Sequence, residues 1–412
     1  MRRELLEFRP PANGIYEALD DFFPDCDLDK PPPSASTPTD SPTAVEPDAQ
    51  EFRFTVRRDK QVRRSIRVVA AERHRRLSDP NAFLQPTIFE RHRDISRERL
   101  NGETSDLPSS SRNQEVSHNR PYNWVRGQAI GRGTNSHIFL AMDGRTGELF
   151  ALKRAELPLM HHDSRQAIVI DAMRRESGIL KTVSHENIVK YIGQTETSEH
   201  VHIFLEYVPG GNMADTLKRH GKFADQAIRS FTGQILSALE HIHDRGVIHC
   251  ELKSDNILID PSGVCKLCDF GNARRITSLT EPTSNTSASS PYASSPSWQM
   301  AIWVAPEIMR AAKNSEHYVY DCKADIWGLG CVVLEMVAGK QPWGDAVMFE
   351  VSTRVSSRML PPVPTEIELL PDLDDFRHKC LSNYANERLT ATELLRHPYL
   401  VLPRDWTFRG FS

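Results

Sequence analysis

Short apolar runs separated by turn residues occupy residues 124–153, and longer runs with helical spacing dominate from residue 212 onward. Alternation over a few residues is typical of half-buried strands, and recurrence every three to four positions is typical of amphipathic helices. The pattern predicts strands at 125–130, 139–142, 149–153, 188–193 and 202–207. It predicts helices at 171–183, 226–245, 325–338 and 391–395. A small lobe with an antiparallel sheet therefore precedes a larger helical lobe.

Residues 1–121 have a different composition, rich in Pro, Ser, Asp and Arg. Such a segment buries too little apolar surface to offset the entropy lost on ordering, so we predict that it is mostly disordered. Two islands break this pattern. Residues 15–30 combine apolar positions at helical spacing with acids, and residues 52–77 surround an apolar set with arginines. We hypothesise that both dock on partners, with a solvated linker as the alternative for the second.

The charge balance points to neither nucleic acid nor a membrane surface, because 51 basic and 55 acidic residues leave a net charge of -4. The N-terminus, at residues 1–11, has no apolar core of the length that a signal peptide needs, and the most apolar later run, at 326–338, is too short to span a bilayer. Seven scattered cysteines do not form a disulfide framework and fit a reducing compartment. The expected location is cytoplasmic, with the nucleus as the alternative.

A glycine-containing turn lies between the first two predicted strands. It carries Gly131 and Gly133, while Ser136 stands where a G-x-G-x-x-G pattern has its third glycine. Glycines here allow backbone N–H groups to approach phosphates. Lys153 on a following strand is then expected to contact phosphates, and Glu176 on the next helix is its natural ion-pair partner.

Residues 247–260 read VIHCELKSDNILID and fit the pattern H-R-D-L-x-x-x-N between two apolar strands. Cys250 stands where Arg is expected, and Glu251 stands where Asp is expected. Asn256 matches the pattern, and Asp269 follows in Asp-Phe-Gly. Their oxygen atoms are suitable ligands for Mg²⁺.

Ala305-Pro306-Glu307 ends the segment that begins at Asp-Phe-Gly. Arg388 near the C-terminus is the expected buried partner of Glu307. Asp325, at the start of a predicted helix, is expected to brace the loop at 247–260. Six motifs follow one another along the chain: the glycine-containing turn, Lys153, Glu176, residues 247–260, Asp-Phe-Gly and Ala-Pro-Glu. The chance that all six occur in this order by coincidence is negligible.

In this order the motifs resemble a eukaryotic protein kinase over residues 122–402, followed by a tail at 403–412. Residues 206–211 and 388–400 resemble the serine/threonine group of MAP kinase kinase kinases, and the two islands are similar to segments of the fungal kinases that head the cell-wall-integrity cascade. The resemblance implies an α+β, bilobal fold that uses ATP and Mg²⁺. Its substrate would be a protein, for instance a MAP kinase kinase.

The resemblance also implies roles for individual residues. The nucleotide would be held by Ile130, Gly131, Gly133, Ser136, Ile138, Ala151, Lys153, Glu176, Leu205, Glu206, Val208 and Leu258. Catalysis would fall to Glu251, Lys253, Asn256 and Asp269, of which Asn256 and Asp269 would also bind the metal.

The departures from the family pattern affect the groups that handle the protein substrate. Glu251 keeps a carboxylate but adds a methylene, and a shift of about 1 Å in such a group can cost ~10²-fold in rate. Cys250 cannot pair with a phosphorylated residue. Met300 stands where the family has a Thr that hydrogen-bonds the catalytic carboxylate. The Ser/Thr-rich stretch at 277–298 is either a flexible insertion or a set of phosphoacceptors.

The sequence supports an ATP-dependent serine/threonine kinase of MAP kinase kinase kinase type with weakened catalysis. A second hypothesis is a pseudokinase that binds nucleotide and acts as a scaffold. A third, a nuclear adaptor, rests only on the arginines at 57–76.

Overall fold

The computed structural model describes residues 9–32, 64–78, 123–133, 136–157, 164–276, 302–314, 321–344 and 346–411. Several predictions concern residues outside these ranges. They are the disorder of most of 1–121, the phosphoacceptor segment at 277–298, and the position of Met300.

One compact unit comprises residues 12–129 and 139–152. It contains the helices α1 (Ala12–Glu17), α2 (Leu19–Phe22) and α3 (Ile66–Ser78). The apolar side chains of these helices and of the segment that follows α2 are buried: Ile15, Leu19, Phe22, Phe23, Ile66 and Val69. The described part of each island thus buries these apolar side chains within the chain, while Val68 and Leu77 of α3 are exposed. Docking of the islands on partners stays a prediction.

Specific polar contacts hold these helices within their unit. The Tyr16 hydroxyl donates to the carbonyl of Gly147 at 2.6 Å. Arg67 pairs with Asp20 at 2.9 Å and with Asp29 at 3.0 Å. A Cβ on Gly127 would lie 2.6 Å from a backbone carbonyl oxygen, so only glycine permits this close approach.

A five-stranded sheet consists of β1 (Trp124–Arg132), β2 (His137–Asp143), β3 (Leu149–Glu156), β4 (Tyr191–Glu196) and β5 (His200–Glu206). The strand order is β1-β2-β3-β5-β4, and β4 pairs antiparallel with β5. The prediction that the fourth strand begins at residue 188 was wrong. Ile188 forms an isolated bridge with Leu267 instead, because the backbone at this point turns to meet a later strand.

The remaining helices are α4 (Ser164–Leu180), α5 (Met213–His220), α6 (Asp225–His243), α7 (Pro306–Asn314), α8 (Lys323–Ala338), α9 (Met348–Ser356), α10 (Pro371–Cys380) and α11 (Ala391–Leu394). Short strands follow α6: β6 (Val247–Ile248), β7 (Ile257–Ile259), β8 (Cys265–Leu267) and β9 (Arg274–Arg275). Helix α4 begins before the predicted residue 171, because Ile170 and Met173 share its buried face.

Helix α8 forms the core of the helical region. All its residues from Ala324 to Val337 are buried, and apart from Asp325 and Glu335 they are apolar or small, as expected for a helix in the core. A Cβ on Gly328 would lie 2.9 Å from the carbonyl oxygen of Leu252. This close approach places the loop between β6 and β7 directly on α8.

Within the described ranges, no helix combines the length and the apolar character needed to cross a membrane.

Candidate active site

Lys153 on β3 lies at the centre of a charged cluster. Its Nζ is 2.6 Å from Glu176 Oε2 and 2.8 Å from Asp269 Oδ1. Burial alone would lower the pKa of Lys153, but the two carboxylates outweigh it and raise this pKa. In turn, burial would raise the pKa of Asp269, but Lys153 outweighs it, so this pKa is lowered. Lys153 and Asp269 are therefore both held in their charged forms, whereas burial raises the pKa of Glu176. The carboxylate of Asp269 carries the charge that a metal requires.

Asp325 on α8 braces the loop that follows β6, as the sequence predicts. Its carboxylate accepts hydrogen bonds from the backbone N–H groups of His249 at 2.8 Å and Cys250 at 2.9 Å. Cys250 adopts a left-handed φ of 64°, which costs on the order of 1–3 kcal/mol for a residue other than glycine. The two hydrogen bonds to a buried carboxylate offset this strain and fix the loop.

Glu251 is held at both carboxylate oxygens. Lys253 Nζ donates to Oε1 at 2.7 Å, and Asn272 Nδ2 donates to Oε2 at 2.6 Å. The Glu251 side chain is only 10% exposed. Sequence reasoning missed Asn272, although its place directly after Asp-Phe-Gly was a usable signal.

Asn256 and Asp269 are neighbours through the backbone, since the N–H of Cys268 donates to the carbonyl of Asn256 at 2.9 Å. The Asn256 amide nitrogen donates to the carbonyl of Glu251 at 2.9 Å, which leaves the amide oxygen for a metal. A carboxylate, an amide oxygen and an ammonium group suit Mg²⁺ with phosphates. The residues at this site thus fit the Mg²⁺ and the nucleotide phosphates that the sequence implies.

The glycine-containing turn is closed by a hydrogen bond from the N–H of Gly133 to the carbonyl of Ser136 at 2.8 Å. A Cβ on Gly133 would lie 2.6 Å from the Ser136 hydroxyl oxygen, so Ser136 occupies the space beside the glycine. Gly131 and Ile130 lie on β1 and Ile138 on β2.

Other predicted nucleotide residues lie on the strands and on the segment after β5. Ala151 is a buried residue of β3, and Leu258 is a buried residue of β7. Leu205 and Val208 are buried on either side of Glu206. The Glu206 carboxylate accepts from the Lys190 N–H at 2.7 Å and pairs with the Lys266 ammonium at 2.9 Å. Its own N–H donates to the carbonyl of Lys190 at 3.0 Å, so its backbone carbonyl is the backbone group left for a ligand.

Cys250 is buried, and burial raises the pKa of its thiol well above the ordinary value. It is therefore a neutral group, in agreement with the expectation that it cannot pair with a phosphate. His249 and Phe270 stack edge to face, with ring centroids 4.9 Å apart, which ties the loop at 249–256 to the Asp-Phe-Gly motif.

Glu335 on α8 contacts the loop at 249–256 through a hydrogen bond. It accepts hydrogen bonds from the Ser254 hydroxyl at 3.1 Å and the Trp303 indole at 2.9 Å. Burial raises its pKa to about 8, and the nearby charge of Asp255 adds to this. The folded protein therefore keeps this proton at neutral pH, whereas an unfolded chain releases it near pH 4.5.

Glu335→Gln is expected to stabilise the protein increasingly as the pH rises from about 5 to 8. A folded-state pKa above the unfolded value gives stability that is complete below the unfolded pKa and is lost as the pH rises, by up to about 1.4 kcal/mol per unit for one proton. Gln mimics the neutral acid and removes this loss. Melting temperatures across this range would test it, and parallel curves for the two proteins would contradict it.

A fold with a sheet-rich and a helical lobe, a Lys–Glu pair and a braced loop with a carboxylate defines the class of protein kinases. The family described as "Protein kinase domain" matches residues 124–400. The chain belongs to this family, and the predicted α+β fold is confirmed.

Three curated relatives show which group of protein kinases the chain is similar to. MAP kinase kinase kinase mkh1 of Schizosaccharomyces pombe is 34% identical over 98% of this chain and 35% of its own length. Serine/threonine-protein kinase BCK1/SLK1/SSP31 of Saccharomyces cerevisiae is 28% identical over 98% of this chain and 29% of its own length. Mitogen-activated protein kinase kinase kinase 2 of Arabidopsis thaliana is 35% identical over 71% of this chain and 43% of its own length.

These matches confirm the resemblance to MAP kinase kinase kinases. The two fungal matches cover almost the whole chain, so they include the islands before the kinase domain. The chain itself spans about a third of the length of these fungal relatives.

Proposed function

We propose that this chain is a protein kinase of MAP kinase kinase kinase type that transfers the γ-phosphate of ATP to a serine or threonine hydroxyl. The observation that carries the proposal is the Glu251 carboxylate, 2.7 Å from the Lys253 ammonium group, on a loop braced by Asp325. This base and this cation support the assignment of the family's catalytic pair to Glu251 and Lys253.

Each residue has a defined task in this proposal. Glu251 orients the substrate hydroxyl and accepts its proton as the oxygen forms its bond to phosphorus. Lys253 neutralises charge on the transferred group, and Lys153 holds phosphate oxygens with Glu176 as its counterion. When bound, Mg-ATP supplies the phosphoryl group, and ADP is the leaving group. Asn256 and Asp269 would hold the metal.

The alternative is a nucleotide-binding pseudokinase that acts as a scaffold. It is favoured by the two hydrogen bonds that already occupy the Glu251 carboxylate, since a carboxylate with two partners has fewer lone pairs for a substrate hydroxyl. The same two contacts hold a carboxylate on this loop, which supports the kinase proposal over the alternative.

MAP kinase kinase kinases are named for acting on a MAP kinase kinase, and we propose a protein of that kind as the substrate of this chain. A cytoplasmic location and partners for the N-terminal region belong to it as well.

The test measures phosphoryl transfer by the purified chain with Mg-ATP and a generic protein substrate. We expect transfer to Ser and Thr, and a loss of at least about 10²-fold in Lys153→Met, because a preorganised charge is removed. Lys340→Met is the matched control, since Lys340 is an exposed lysine paired with Glu366. A chain whose melting temperature rises with Mg-ATP, but which transfers nothing, would establish the pseudokinase.

A further inference from the structure

Asn272 makes a contact that the motifs of the family do not require. Its Nδ2 lies 2.6 Å from Glu251 Oε2, while the other oxygen of the same carboxylate is held by Lys253. Each oxygen of Glu251 thus has its own donor, and the two donors come from different segments of the chain.

The extra methylene of Glu251 makes this second donor significant. A glutamate has one more rotatable bond than an aspartate, and a carboxylate held at one oxygen can still swing about the contact. Holding both oxygens removes that freedom, and a misplacement of about 1 Å can cost ~10²-fold in rate.

A second argument comes from the residue at position 300. The resemblance to the family implies a Thr there that hydrogen-bonds the catalytic carboxylate, whereas the side chain of Met300 has no donor group. Asn272 supplies a donor to that carboxylate from the segment that follows Phe270 and Gly271. Because an amide is neutral, it fixes Glu251 without adding a second positive charge that would make it a weaker base.

We propose that Asn272 is a positioning residue that holds Glu251 where it meets the substrate hydroxyl. This rests on the proposed kinase function. It predicts a dependence that is specific to the longer side chain, because an aspartate at position 251 ends one methylene short of Asn272.

A double-mutant cycle of Asn272→Ala with Glu251→Asp tests this dependence. Asn272→Ala alone is expected to lower kcat about 10-fold with little change in the KM for ATP, and to lower it less than about 3-fold in the Glu251→Asp background. Asn383→Ala is the control, because its Nδ2 donates to the Arg358 carbonyl at 2.8 Å, away from the loop.

Asn272→Asp adds a readout that a purely structural role would not move. It keeps the shape of the side chain but places a negative charge against Glu251, so the acidic limb of the pH profile of kcat/KM is expected to move to higher pH. Equal effects of Asn272→Ala in both backgrounds, with an unmoved limb, would overturn the inference and leave the proposed function intact. A chain that transfers nothing would overturn both.

A separate observation concerns the segment that precedes α1. The carbonyl of Arg9 accepts a hydrogen bond from the Gly210 N–H at 2.7 Å, and the carbonyl of Pro10 accepts one from the Tyr207 hydroxyl at 2.8 Å. This segment therefore lies along residues 207–210, next to the backbone of Glu206 and Val208 that is expected to bind adenine.

The Arg9 side chain points towards the residues expected to hold the nucleotide. Its Nη2 would lie 3.5 Å from a Cβ placed on Gly131. Burial lowers the pKa of the guanidinium, although three neighbours act in the opposite direction: Cys268, Tyr207 and Asp215. Gly131 belongs to the glycine-containing turn, and Cys268 directly precedes Asp269.

We infer that the segment at Arg9 and Pro10 occupies part of the nucleotide site in the free chain and is displaced when Mg-ATP binds. A site that is open in only a fraction of the molecules binds more weakly by that fraction. The inference rests on the proposed nucleotide site, but it concerns binding and needs no phosphoryl transfer.

Titration calorimetry with Mg-ATP, on the whole chain, tests this inference. Arg9→Ala is expected to bind about 10-fold more tightly than the wild type, as for a site about one-tenth open, and the exposed Arg404→Ala is the control. Equal binding or weaker binding by Arg9→Ala would overturn the inference. Weaker binding would mean that Arg9 contacts the phosphates of the bound nucleotide. If neither the wild type nor either variant binds Mg-ATP, the proposed nucleotide site is overturned together with this inference.

Discussion

Glu251→Asp is expected to raise kcat about 10²-fold, because it restores the side-chain length that the family uses at this position. In the wild type, the carboxylate extends to Asn272 at 2.6 Å. The shorter side chain no longer needs that second contact, because it keeps its neighbour Lys253 and places the carboxylate at the side-chain length of the family. A gain of this size corresponds to about 2.7 kcal/mol in the barrier.

Steady-state kinetics with saturating Mg-ATP and a protein substrate would measure this gain. Glu251→Gln serves as the companion variant, since it keeps the length and removes the base, and it should lower kcat at least as far as Asn272→Ala does. A Glu251→Asp protein that is no faster than the wild type would show that the extra methylene is not what limits transfer.

Arg388→Met is expected to destabilise the protein by about 3–5 kcal/mol, the typical cost of leaving one member of a buried ion pair alone. Arg388 is 1% exposed and binds Glu307 with two hydrogen bonds, at 2.7 and 2.8 Å. It also donates to the backbone carbonyls of Ser382 and Lys323. Methionine fills the space but leaves the Glu307 carboxylate and both carbonyls without this donor.

A fall in melting temperature on the order of 10 °C would accompany such a loss in a domain of this size. Arg404→Met makes the same chemical change on an exposed residue and should stay within about 0.5 kcal/mol of the wild type. A small effect at Arg388 would mean that water or a rearranged Glu307 replaces the lost contacts.

Much of the site follows from the sequence, because each motif is local. The pairing of Glu307 with Arg388 was predicted from two short motifs and is confirmed by the bidentate contact. The expectation for Asp325 is confirmed in the same way, since its carboxylate accepts from two backbone N–H groups of the loop. These predictions succeed because an ion pair or a brace between fixed motifs leaves few alternatives once the fold is known.

The start of α4 and the fourth strand were predicted less well. Apolar spacing around residue 170 continues through the first turns of α4, and the boundary depends on which residues reach the core. At residue 188 the backbone bonds to β8 rather than to its sequence neighbours. Such pairing depends on distant segments, which a local pattern does not contain.

By itself the sequence determined the family, the order of the motifs and the identity of the altered residues, because these depend on residue type and spacing alone. The tertiary structure decided where the altered groups find partners. It brought Asn272 to Glu251, buried the apolar faces of the islands within their own unit, and placed Arg9 beside Gly210. Each of these contacts joins segments far apart in the chain or side chains whose direction depends on the surrounding packing, and hydrophobic periodicity carries no information about either.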